Sequence, residues 1–176
     1  ALRKADIDSV TEIWLDTNRK AHAFIPASYW ERNFASVKEM LPQAEVYVYE
    51  TDQGIQGFLG LNGEYIEGIF VSEGAQSRGI GKCLLDYAKN RKPALRLNVY
   101  QKNTRAIRFY QREGFQIQRE GLDAATGEPD YEMLLEHDCP LAIESLMIGH
   151  ASEVKDKLEE LGIAVFIDQS SSESHP

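Results

Sequence analysis

An α/β (α+β) fold is predicted by three features of the chain. Two amphipathic helix patterns come early, three strand-like runs joined by tight turns follow, and strand and helix patterns alternate after residue 70. At 176 residues, 43% hydrophobic and 27% charged, the chain is long enough for one well-packed domain with an appendage. Residues 1–136 are expected to form the domain, residues 137–168 an extension without an assigned role, and residues 169–176 a disordered tail.

The first helix pattern, "DIDSVTEIWLDTNRKA", carries Val10, Ile13, Trp14, Thr17 and Ala21 on one face. Asp6 or Ser9 is placed to cap it, and Ser9 with Glu12 has capping-box spacing. Ser28 and Glu31 share that spacing and predict the start of a second helix, which carries Phe34, Val37 and Leu41 and stops at Pro42. Next, "EVYVYE" and "IQGFLGL" flank "TDQG" as a hairpin, and "EYIEGIFV" follows the Asn62-Gly63 turn, giving three antiparallel strands.

A glycine-rich turn then leads into a helix with Ile80, Cys83, Leu84, Tyr87 and Ala88 on one stripe, so Cys83 reads as a core residue. "ALRLNVY" is a buried strand and "NTRAIRFYQREGF" a short helix closed by Gly114. "FQIQRE" and "YEMLLEH" are strands separated by the turn "DAATGEPD". Beyond them, "ASEVKDKLEELG" is a helix candidate ended by Gly162, and "IAVFI" a short strand.

A net charge of -9 disfavours nucleic-acid partners, which require a concentrated basic surface, and suits a cationic substrate. No stretch approaches the length of a membrane span and "ALRKADIDSV" lacks the apolar core of a secretory signal, so no membrane partner and a cytoplasmic location are expected. Cys83 and Cys139 are too few for a disulfide framework and are expected to be reduced. His22, His137, His150 and His175 lack metal-ligand spacing, so no metal is expected.

The turn in "FVSEGAQSRGIGKCLLDYAKN" brings a strand end, glycines and a helix N-terminus together, an arrangement that binds anions through unpaired backbone N–H groups. It is not a Walker loop, because Gln76 stands where the first glycine belongs and Cys83 replaces the hydroxyl residue. It is not a dinucleotide fingerprint either, because Gly79 and Gly81 are followed by Leu84. What remains is Gln76-x-x-Gly79-x-Gly81.

This pattern resembles the pyrophosphate loop of the GCN5-related N-acetyltransferase (GNAT) family, Gln/Arg-x-x-Gly-x-Gly/Ala. "VYQKNTRAIRFYQREGF" resembles a second family segment, Asn-x-x-Ala-x-x-Phe-Tyr-x-x-x-Gly-Phe. The resemblance runs from residue 2 to about 136, and "AHAFIPASYW", "VYQKN" and "FYQREGF" make it similar to the bacterial YiaC and YjaB type within the family. It implies a mixed, mostly antiparallel sheet of about seven strands flanked by helices, opening with an N-terminal strand. The residues after 136 depart from the family pattern, which ends with the last strand.

The resemblance also implies acetyl-CoA as co-substrate, and acetyl transfer to a primary amine by direct attack in a ternary complex. The acceptor implied is a protein lysine or a small cationic amine, and the chain a monomer or homodimer. A noncatalytic acyl-CoA-binding sensor is the alternative. Coenzyme contacts are implied for Ile69, Phe70 and Val71, for the loop residues Gln76, Ser77, Arg78, Gly79, Ile80, Gly81 and Lys82, and for Asn103 and Tyr110. Gly79 and Gly81 let the backbone approach two phosphates, and Gln76, Arg78 and Lys82 add donors or charge. Asn103 also suits an N-cap.

Tyr110 matches the family position of the general acid for the departing thiolate, and a phenol's pKa of about 10 suits that task. Glu67 alternates with Ile69 and Val71, so it is expected on the same strand face, as base or as a group attracting the cation. Glu64 lies nearer the turn and is the weaker candidate. The amide of Phe70 or Val71 is the implied oxyanion donor. His22, Phe24, Tyr29 and Trp30 are expected to line the acceptor side.

Overall fold

The hairpin predicted around Thr51 to Gly54 lies in one half of a sheet in the computed structural model, which describes residues 2–137 and the backbone of residues 163–165. Its strands are β1 (Glu45–Thr51) and β2 (Gly54–Asn62), followed by β3 (Tyr65–Val71), β4 (Ala94–Tyr100), β5 (Gln116–Leu122) and β6 (Pro129–Glu136). The helices are α1 (Ile7–Ala21), α2 (Ala27–Met40), α3 (Ile80–Lys89) and α4 (Thr104–Arg112). The strand order is β5-β6-β4-β3-β2-β1, with β7 (Ile163–Val165) outside β1. The sheet is antiparallel apart from β3 and β4, which are parallel and joined through α3, as parallel neighbours require a crossover.

Residues 1–136 thus contribute six strands rather than about seven. The expected N-terminal strand is replaced by a 3-10 turn at Lys4–Asp6, where Arg3 bonds the Asp6 carboxylate at 2.8 and 3.0 Å and reaches Glu50 at 3.2 Å. The edge of β1 is paired instead with β7, from Tyr47↔Val165 to Tyr49↔Ile163. The helix expected in the extension and the 169–176 tail lie outside the described residues.

Two further sequence expectations are corrected. The second helix begins at Ala27 after Pro26, so Ser28 lies inside its first turn, and neither α1 nor α2 has a side-chain cap. Proline before the first turn presets the backbone there without a capping bond. Cys83 is only half-buried, the buried stripe of α3 being Ile80, Leu84, Leu85, Tyr87 and Ala88.

Each sheet face has its own core. Ile80, Leu84 and Leu85 of α3 and Tyr110 of α4 pack on Leu59, Ile66, Leu95, Leu97, Val99 and Met133. Val10 and Ile13 of α1, with Leu41 after α2, pack on Val46, Val48 and Phe58 on the other face. This second layer covers the β1–β2 half, whereas the opposite half of the same face displays Arg96 and Asn98 exposed.

Candidate active site

β3 and β4 share one registered pair, Tyr65↔Arg96, and then part. Backbone groups beyond that pair have no strand partner across the gap, and an unmade buried hydrogen bond costs about 1–3 kcal/mol, so the opening favours a ligand with its own donors and acceptors. A cleft of about 1150 Å³ occupies this opening, lined by Ile69, Phe70 and Val71, by the glycine turn and by α4.

The turn is built locally. Gly79 is the N-cap of α3 with φ +82°, a left-handed conformation that costs an ordinary L-residue roughly 1–2 kcal/mol. The first α3 bond runs from the Cys83 amide to the Gly79 carbonyl at 3.0 Å, so the amides before Cys83 stand as free helix-terminal donors. A Cβ on Gly79 would meet nothing within 4 Å, and one on Gly81 only Phe109 and Val71 at 3.7–3.9 Å. Internal packing therefore does not demand a bare Gly81, and the space left lies in the cleft, as a phosphate approaching the backbone requires.

Charge supports the same occupant. Lys20, Lys82, Lys102, Arg105, Arg108 and Arg112 face the cleft against only Glu73 and Glu113, in a chain whose net charge is -9. Arg105 holds the turn from α4, donating to Gln76 Oε1 at 2.9 Å and Ser77 Oγ at 3.2 Å. Gln76 Nε2 in turn donates to the Val71 carbonyl at 3.0 Å. Lys82 lies 3.1 Å from Asp86 and 3.4 Å from Glu113, which offset part of its charge.

Tyr110 reaches the cleft from α4, is 8% exposed, and packs edge-on against Phe109 and Phe115. Burial pushes its phenol well above the ordinary tyrosine range, with a smaller contribution from Tyr65, so it is a neutral donor at any physiological pH. Asn103 caps α4 by accepting from the Ala106 amide at 3.2 Å, and its Nδ2 lies 3.1 Å from His22 Nε2. An amide nitrogen only donates, so His22 Nε2 accepts and the imidazole is neutral with its proton on Nδ1. Burial lowers the His22 pKa to about 4 in agreement.

Comparison with known proteins identifies the arrangement. Residues 42–117 match the acetyltransferase (GNAT) domain model. The chain is 38% identical over 117 residues to the peptidyl-lysine N-acetyltransferase YiaC of Escherichia coli (strain K12), spanning 65% of this chain and 80% of that protein. It is 32% identical over 116 residues to the peptidyl-lysine N-acetyltransferase YjaB of Salmonella typhimurium, again 65% of this chain and 80% of the relative. The chain belongs to the GNAT family.

In structure, this GNAT resembles the apo form of Escherichia coli YjaB, with a TM-score of 0.69 at 24% identity over 77% of this chain and 95% of that one. It shares its fold with yncA of Salmonella typhimurium, solved with acetyl-CoA, at a TM-score of 0.57, 19% identity and coverage of 77% and 91%. The protein is an acetyl-CoA-dependent acyltransferase. Among the described residues, no group of three or more His, Cys, Asp or Glu could hold a metal ion, and no helix is long and apolar enough to cross a membrane.

The cleft brings together His22, Ile69, Phe70, Val71, Gln76, Ser77, Gly79, Ile80, Gly81, Lys82, Asn103 and Tyr110. Arg78 does not line it. Neither do Phe24, Tyr29 and Trp30, which cluster behind His22: its ring stacks on Trp30 at 5.3 Å and meets Phe24 and Tyr100 edge-on at 5.7 and 4.9 Å. The expectation for Glu67 is corrected. β2 pairs Gly60 with Gly68 and then Leu61 with Ile66, leaving Glu67 as an extra bulged residue. Ile66, Ile69 and Val71 all pack towards α3, whereas the Glu67 Cβ lies 3.6 Å from where a Gly60 Cβ would be, on the Phe58 side. Glu67 is therefore exposed on the face opposite Ile69 and Val71, outside the cleft. Sequence reasoning missed Arg105, Arg108 and Arg112, although their i, i+3, i+7 spacing on "TRAIRFYQR" marks one helix face.

Proposed function

We propose that the protein acetylates a primary amine, either a protein lysine side chain or a small cationic amine, by direct attack within a ternary complex. The observation that carries this reading is the parting of β3 and β4 at a cleft lined by a basic glycine turn and by a buried neutral tyrosine of α4. The lysine preference is supported by the two peptidyl-lysine acetyltransferase relatives.

In this reading the α3 amides and Arg105 hold the phosphates, and the exposed edge of Ile69–Val71 holds the arm leading to the thioester. Acetyl-CoA supplies the thioester carbonyl carbon to the attacking nitrogen. The Phe70 or Val71 amide steadies the carbonyl oxygen as negative charge develops. The C–N bond forms, the C–S bond breaks, Tyr110 gives its proton to the leaving sulfur, and the proton that the nitrogen sheds on becoming an amide restores Tyr110, directly or through water. Glu67, on the acceptor face, attracts the ammonium and accepts its proton directly or through water. His22, with Phe24, Tyr29 and Trp30 behind it, shapes the acceptor entrance. The proposed compartment is the cytoplasm.

Calorimetric titration of acetyl-CoA tests the coenzyme half, with Gly81→Glu placing bulk and negative charge in the turn. Affinity is expected to fall about 100-fold or more, because lost donors and a buried like charge act together. Equal binding by Gly81→Glu and wild type would remove the turn from the site. Turnover on lysine peptides then separates the enzyme from a sensor that binds acetyl-CoA without transfer.

A further inference from the structure

The sheet face opposite the coenzyme cleft carries a polar chain at the same opening. The Tyr65 hydroxyl donates to Asn98 Oδ1 at 3.0 Å, and Asn98 Nδ2 donates to Asp130 Oδ2 at 3.3 Å. Alternation puts these three on one face: Leu97, Val99, Tyr131 and Met133 point into the α3 core, leaving Asn98 and Asp130 on the other side. Tyr65 precedes core-facing Ile66 and is likewise on that side. Tyr65 belongs to the last registered pair before the strands part.

Asp130 is 9% exposed, and none of the ion pairs among the described residues includes it. Arg96 and Arg119 on this face act on Glu132 instead, Arg119 at 2.6 Å. A carboxylate so buried is costly without a cation or several donors, and here it receives one side-chain bond. A Cβ at Gly121 would stand 3.0 Å from Asp130 Oδ1, so the bare glycine keeps that oxygen clear. After the internal bonds are counted, one Asn98 Nδ2 hydrogen remains, and the free acceptors are the Tyr65 oxygen, the second lone pair of Asn98 Oδ1 and the Asp130 Oδ1 oxygen. A ligand matching them carries positive charge and several N–H donors on one atom.

We infer that Tyr65, Asn98 and Asp130 form the subsite that receives the acceptor's primary ammonium, with Asp130 as its charge partner and Asn98 as the residue that orients both neighbours. The inference deepens the acetyltransferase reading and rests on it. It adds to Glu67, which is two residues along β3 on the same face as Tyr65.

The test measures initial rates with a lysine peptide and acetyl-CoA, alongside calorimetric acetyl-CoA affinity and Tm, for wild type, Asp130→Asn and Tyr65→Phe. Asp130→Asn is expected to raise peptide KM about tenfold or more, as loss of a charged hydrogen-bond partner does, and Tyr65→Phe about threefold. Acetyl-CoA affinity should stay within about twofold for both, a split that general unfolding would not produce. If Asp130→Asn does not fold, Tyr65→Phe decides alone. Peptide KM within twofold of wild type in the folded variants overturns the subsite and leaves the acetyltransferase reading standing. A wild type that binds acetyl-CoA but acetylates no primary amine overturns both.

Discussion

On the coenzyme side of the β3–β4 opening, the proposed binding groups are backbone amides and polar or basic side chains, most of them from two stretches, residues 69–82 and 102–113. On the proposed acceptor side they are side chains from across the fold: His22 on the α1–α2 connection, Tyr65 and Glu67 on β3, Asn98 and Tyr100 on β4, and Asp130 on β6. The first side is basic and preset by local backbone geometry; the second is acidic and aromatic and exists only when distant strands pair. A local turn can bind a common phosphate while an assembled surface varies with the acceptor. Tyr110 is buried and lines the coenzyme cleft, and in the proposed reaction it serves the step that joins the two sides.

That division can be tested hardest at Tyr110. Tyr110→Phe is expected to lower kcat by about 10²-fold or more, the usual weight of a positioned proton donor, while acetyl-CoA affinity and amine KM change little. Single-turnover kinetics with both substrates saturating would check it. A KM effect without a kcat effect would assign Tyr110 to one side instead.

His22 offers a second test, through pH. Its folded pKa of about 4 lies below the unfolded value near 6.5, so the unfolded state binds more protons in that window. Stability from this group is complete above about pH 6.5 and is lost as pH falls towards 4, by about 3 kcal/mol in total. His22→Gln can still accept from Asn103 but does not titrate, so its Tm should fall less than that of wild type between pH 7 and 4.5. Parallel curves would mean that His22 is not the group responsible.

The smallest expected effect sharpens the comparison from the coenzyme side. Arg105→Ala removes the bonds to Gln76 and Ser77 and one cation from the cleft, so acetyl-CoA affinity should fall about tenfold. Peptide KM at saturating acetyl-CoA should stay unchanged. An equal rise in both would show that the two sides are coupled, with the Asn103–His22 contact as the route between them.

The glycine turn and the Asn103–Tyr110 segment were legible in the letters because their requirements are local: a left-handed residue at Gly79, a cap at Asn103 and the register of one helix turn. The α4 arginines were also legible by spacing, and were overlooked because a charged helix face ordinarily meets solvent. The Glu67 bulge was not legible, since period-two alternation assumes an unbroken ladder and one extra residue reverses every direction beyond it. The N-terminal strand failed for a related reason: whether Leu2 and its neighbours extend depends on what pairs with the β1 edge and on the Arg3–Asp6–Glu50 contacts.

By itself, then, the sequence determined the family, the helices, the strands of the central sheet and the glycine turn, because neighbouring residues are enough to specify each. Only the tertiary structure decided where β3 leaves β4, which face Glu67 takes, and that Tyr65, Asn98 and Asp130 meet. The first and the last depend on pairing between residues more than 30 positions apart and the second on a bulge in the β2–β3 ladder, and in each case chain geometry rather than local preference sets the contact.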